Sequence, residues 1–156
     1  MVTATATLVT GAPCSGKSTY VERCRQPGDL VVCFDQIIMA IGGDESHNHP
    51  ESLKKYAFEA RDAVVRRWTG KRDVDIWVIG TCPKRSDRDK FVKWGFRVVT
   101  MDADEKTCIR RAREERPSAW AEYVHRYFRQ YEPPLSTDEV LSASDVPPLA
   151  SLSRRW

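Results

Sequence analysis

Apolar residues along this chain alternate between short dense runs and longer stretches at helical spacing. Residues 4–10, Ala-Thr-Ala-Thr-Leu-Val-Thr, are rich in β-branched side chains and predict a first strand. A glycine-containing turn fills 11–16. Residues 17–25 predict a helix that Pro27-Gly28 stops. Leu30 to Phe34 are almost continuously apolar, the pattern of a parallel strand buried on both faces. A short apolar helix is expected over 36–41, and a polar loop runs from Gly42 to Pro50. Leu53, Ala57, Ala60, Val64 and Trp68 then recur at spacings of three and four, predicting a helix over 51–68 with Gly70 as its C-cap.

Val74 to Ile79 predict a third strand ending at Gly80, and Phe96 to Met101 a fourth. Helices are expected at 85–94, 104–115 and 118–131, the last carrying Trp120, Tyr123, Val124, Tyr127, Phe128 and Tyr131 as a stripe. Strands thus alternate with helices. That order predicts an α/β fold: a parallel sheet flanked by helices on both faces. Residues 1–134 form the expected domain. Residues 135–156 are rich in Ser, Pro and Asp and are read as a tail or loosely docked segment.

Composition changes this picture little. The 156 residues suit one domain, and 41% hydrophobic with 30% charged residues is ordinary for a globular protein. The net charge of +3 is mild and carries no nucleic-acid signature alone. Five cysteines without a CxxC pair argue against a disulfide framework or a structural zinc site, and suit a reducing, cytoplasmic setting. The N-terminus lacks the charged start of a signal peptide, and no apolar run is long enough to span a bilayer.

The chemistry concentrates at Gly11-Ala12-Pro13-Cys14-Ser15-Gly16-Lys17-Ser18, which has the spacing G-x-x-x-x-G-K-S. Its glycines let the backbone turn tightly, so that several N–H groups point at phosphate oxygens. The helix that follows adds its positive N-terminal dipole. Lys17 is expected on the β- and γ-phosphates, Ser18 on Mg²⁺, and Thr19 near the α-phosphate. ATP or another nucleoside triphosphate, with Mg²⁺, is the implied cofactor. Cys14 reads as a loop residue rather than a nucleophile.

Asp35 follows the second strand, and ligands of open α/β sheets bind at strand carboxyl ends. Three roles are open to it at this point. It can accept a proton from a substrate hydroxyl, contact Mg²⁺ through water, or cap the next helix. Arg110, Arg111, Arg113 and Arg116 crowd the end of the 104–115 helix. They suit either a lid that closes over transferring phosphate or a solvated face paired with Glu114 and Glu115. His47 and His49 read as part of a polar loop. The basic stretch from Lys84 to Arg97 reads as a solvated helix face, with a polyanion patch as the alternative.

From about residue 7 to residue 132 the chain resembles the P-loop kinase domain of phage-type 5′-polynucleotide kinases and related kinases. The likeness rests on Gly11 to Thr19, on Phe34-Asp35, on the stretch from Lys84-Arg85-Ser86-Asp87-Arg88 to Trp94-Gly95-Phe96-Arg97-Val98, and on Met101-Asp102-Ala103-Asp104 before the arginine helix. It implies ATP-dependent phosphorylation of a hydroxyl. Lys17 and Ser18 would hold phosphates and Mg²⁺, Asp35 would be the base, and an arginine among Arg111, Arg113 and Arg116 would stabilise the transition state. Two features depart from the family. Gln36, Ile37 and Ile38 follow Asp35 where an acceptor-binding arginine is usual, and Gly80-Thr81-Cys82 replaces Asp-Thr-Asn. The expected acceptor is a hydroxyl of a nucleic acid or nucleotide. A hydroxyl of a small metabolite, nucleoside or modified base is the alternative, and a nucleotide-binding module without kinase activity is the rival of another class.

Overall fold

The first four strands are short and largely buried on both faces because helices cover the sheet from both sides. The computed structural model describes residues 3–44, 48–133 and 139–141. The elements run β1 (Ala6–Thr10), α1 (Lys17–Cys24), β2 (Leu30–Cys33), α2 (Phe34–Ala40), α3 (Glu51–Lys71), β3 (Ile76–Ile79), α4 (Arg85–Lys93), β4 (Arg97–Met101), α5 (Glu105–Glu115), α6 (Trp120–Gln130) and β5 (Glu139–Leu141). The sheet order is β2-β3-β1-β4-β5, and every neighbouring pair is parallel.

Alternation along the strands divides the core. Leu8, Val32, Ile76, Val78 and Val98 pack on one face with Val65 and Trp68 of α3 and Phe91 of α4. Val9, Trp77, Ile79, Val99 and Met101 pack on the other with Tyr20 and Val21 of α1. Burying each of these side chains contributes on the order of 1.5–3 kcal/mol. A third cluster joins Cys108 and Ala112 of α5 to Val124 and Tyr127 of α6. It includes Ala12, so the α5–α6 pair packs directly on the glycine loop.

Three local expectations change. The helix does not stop at Gly70: α3 continues to Lys71 and ends on Arg72, which is left-handed at φ 50. The Arg72 guanidinium donates to the Trp94 carbonyl at 3.0 Å and lies over the Trp68 ring. These contacts hold a conformation that glycine usually takes. The second change is at Phe34, which opens α2 rather than closing β2. The third is at Glu139–Leu141, in the segment read as a tail, which adds β5 to the sheet edge beside β4. The remainder of 135–156 lies outside the described residues, as does His47.

Candidate phosphotransfer site

The strand order puts the glycine loop at the middle of the sheet, at the carboxyl end of β1. β3 lies between β1 and β2, so Gly80–Pro83 separate the loop from Asp35. The loop backbone needs left-handed geometry at Gly11 (φ 143), Cys14 (φ 63) and Gly16 (φ 99). A Cβ at Gly11 would meet Ser15 Oγ at 2.7 Å and the Met101 carbonyl at 3.0 Å, so only glycine fits there. Cys14 holds its geometry without that freedom.

Lys17 folds back over this loop. Its Nζ donates to the Gly11 carbonyl at 3.0 Å and the Ala12 carbonyl at 2.6 Å. Burial lowers its pKa to about 8, and nearby thiols and Asp35 offset only part of that. Ser15 Oγ is buried with no hydrogen-bond partner among the described residues. A buried hydroxyl with hydrogen-bonding capacity to spare and a desolvated lysine, in a loop with positive φ at three residues, suit a phosphate-binding cradle. The residues therefore fit a nucleoside triphosphate.

A cleft of about 880 Å³ opens from this cradle. Pro13 to Thr19, Asp35, Arg111 and Arg116 all line it. Gly11 and Ala12 are buried beneath. Asp35 sits in the first turn of α2, whose N-cap is Cys33 with no side-chain cap bond. Capping is therefore not its role. The carboxylate makes no hydrogen bond or ion pair among the described residues. Ser18 and Thr19 are exposed at the start of α1.

The arginines divide. Arg111 donates from Nη1 to the Cys14 carbonyl at 3.1 Å and so ties α5 to the loop. Arg116 lies over the Trp120 ring, and its Nε is buried without a partner. Arg113 is exposed and does not line the cleft, and Arg110 pairs outward with Glu114. The three-residue spacing of Arg110, Arg113 and Arg116 would put them on one face of a continuous helix, but Arg116 is the extended C-cap of α5, and the cleft takes Arg111 and Arg116. The polyanion-patch alternative for Lys84 to Arg97 loses Arg88, which is only 3% exposed. Its guanidinium donates to the carbonyls of Cys82, Pro83 and Glu132, joining the β3–α4 loop to the end of α6.

The rest of the cleft holds residues that spacing did not assign to it. Lys54, Phe58 and Arg61 of α3, Lys90 of α4 and Arg126 of α6 all line the cleft, as do Arg23 and His49. No trio of His, Cys, Asp or Glu suited to a metal ion occurs among the described residues. No helix among them is long and apolar enough to cross a membrane.

A family model described as an AAA domain matches residues 7–134. The chain belongs to this family. Its fold is that of a P-loop kinase domain. A sugar kinase from Janibacter sp. HTCC2649 has a TM-score of 0.63 at 16% identity, over 97% of this chain and 91% of that one. A gluconokinase from Sinorhizobium meliloti 1021 has a TM-score of 0.59 at 18% identity, over 97% and 88%. A chain of the Pnkp1/Rnl/Hen1 RNA repair complex has a TM-score of 0.58 at 15% identity, over 89% of this chain and 50% of that one. At these identities the likeness is one of fold. No curated protein sequence matches the chain.

Proposed function

We propose that this domain transfers the γ-phosphoryl group of ATP to a hydroxyl of a nucleic acid or nucleotide. One observation carries the reading: the unpaired Asp35 carboxylate shares a cleft with the phosphate cradle, Arg111 and Arg116. The loop N–H groups and Lys17 would hold the phosphates, and Ser18 would hold Mg²⁺. Bound MgATP supplies the phosphoryl group. Asp35 orients the acceptor hydroxyl and takes its proton. Arg111 and Arg116 balance charge on the oxygens in transfer.

Charge supports an anionic acceptor. Eight lysines and arginines line the cleft against three carboxylates. A magnesium-chelated triphosphate, at roughly −2, offsets only part of that surplus. Besides Lys17, Arg111, Arg116 and Arg23 of α1, four of these cations, Lys54, Arg61, Lys90 and Arg126, come from α3, α4 and α6, away from the loop. They take the place of the arginine that is missing after Asp35. A small sugar acid would meet the same charge, and one similar structure is described as a gluconokinase.

Transfer of label from γ-labelled ATP to a panel of acceptors separates the two. Oligonucleotides with free 5′-hydroxyls should be labelled far faster than gluconate or neutral sugars. Label on the sugar acids and none on any oligonucleotide or nucleotide refutes the nucleic-acid reading. Lys17→Ala should abolish transfer to every acceptor.

A further inference from the structure

We infer that one face of α3, together with Phe34, is a stacking subsite for the base of the acceptor nucleotide. This rests on reading the Asp35 cleft as the site of a nucleotide acceptor.

The face is defined by spacing. Lys54, Phe58 and Arg61 stand four and three residues apart, so they project from one side of the helix. All three line the cleft. Val65 and Trp68 continue the same stripe at spacings of four and three and are buried, whereas Lys54, Phe58 and Arg61 line the cleft. Phe58 is 45% exposed. A large aromatic left in solvent beside a polar cleft has surface to offer.

That surface is preorganised. The rings of Phe34 and Phe58 lie 4.5 Å apart at an interplanar angle of 31°. The Arg61 guanidinium sits 5.1 Å from the Phe58 centroid. Phe34 immediately precedes Asp35, so the platform is one residue from the carboxylate that would face the acceptor hydroxyl. Bases present a π-face whatever their identity, and stacking on such a platform is tolerant of sequence.

Charged groups flank the rings. Arg61 uses Nε and one Nη on Asp62, leaving Nη1 without a partner among the described residues. Among the described residues Lys54 pairs only with Glu51, one turn earlier on the exposed side. Both can therefore turn cationic donors to a phosphate next to the stacked base. Stacking and phosphate contacts converge on a nucleotide bearing its base. A small sugar acid would use the cations and leave the rings idle.

The test is a cycle between protein and acceptor. Wild type and Phe58→Leu are assayed on a single-stranded 5′-hydroxyl oligonucleotide and on the same oligonucleotide with an abasic 5′-terminal nucleotide. Phe58→Leu should raise KM for the normal acceptor about tenfold, with a much smaller change in kcat. The abasic acceptor should show that raised KM already in wild type and lose nothing more in the variant. Phe58→Trp should restore the normal KM. ATP binding without acceptor reports folding and should be alike in all three proteins. The inference is overturned if Phe58→Leu leaves KM of the normal acceptor unchanged, or raises it equally for both acceptors. Failure of wild type to label any nucleotide hydroxyl would instead sink the proposed function itself.

Discussion

Lys17 enters the free protein's cradle at a cost in charge, and that cost is measurable. Its pKa falls from 10.5 to about 8 because the ammonium is taken out of water. A bound triphosphate supplies the countercharge and raises that value again. ATP binding near pH 8 should therefore draw about half a proton per site from solution. The sign follows directly. Below pH 8 Lys17 is already charged and nothing is taken up. Above pH 8 the neutral fraction grows, and each binding event must first reprotonate it. Affinity at saturating Mg²⁺ should fall about tenfold from pH 7 to pH 9, equivalent to about 1.4 kcal/mol. Neighbouring thiols do not blur this window, since burial raises Cys14 and Cys33 above 9.0 and Cys108 to about 11. Titration calorimetry in buffers of different ionisation enthalpy gives the proton count. Lys17→Arg, charged throughout, should bind with no uptake. Flat affinity from pH 7 to 9, with no proton uptake in wild type, would show that Lys17 is fully charged before ATP arrives.

Other outcomes follow from the same geometry. Arg111→Ala should lower kcat by about 10³, the scale of a transition-state arginine, while exposed Arg113→Ala should stay within about twofold; equal losses in steady-state assays would put the cleft assignment in error. Arg88→Met keeps volume but leaves the Cys82, Pro83 and Glu132 carbonyls without their donor. It should cost about 3 kcal/mol in urea unfolding, and a loss under about 0.5 kcal/mol would contradict a structural role. Leu8→Ala empties a fully buried position in β1 and should cost about 2–5 kcal/mol by the same measurement.

The phosphate cradle was legible because its chemistry is local: two glycines, a lysine and a serine at fixed spacing. Asp35 was legible for a related reason, as a carboxylate at a strand end, although the chain turns helical one residue sooner than the apolar run implies. What distance in sequence controls was hidden. Apolar periodicity in α3 picked out Leu53, Ala57, Ala60, Val64 and Trp68, of which the structure buries Ala57 and Trp68, with Val65 in addition. The Lys54–Phe58–Arg61 face is charged at two of its three positions and has meaning only beside Phe34 and the cleft. Arg88 reads as one more surface cation until carbonyls up to 45 residues away close around it. Arg111 and Arg113 differ by two positions on one helix, and only packing against the Cys14 carbonyl tells them apart. Glu139–Leu141 is too short to show a period of two. Its pairing with Val99 to Met101 is set by the edge that β4 offers.

The most direct test of the account is single-turnover transfer from γ-labelled ATP to a 5′-hydroxyl oligonucleotide by wild type and Asp35→Asn. ATP occupancy is matched between the two. Wild type should place the label on the 5′ end. Asp35→Asn should bind ATP with similar affinity and transfer about 10²- to 10⁴-fold more slowly, the range that a positioned base supplies. Full transfer by Asp35→Asn, or label on no oligonucleotide from wild type, would contradict the central claim.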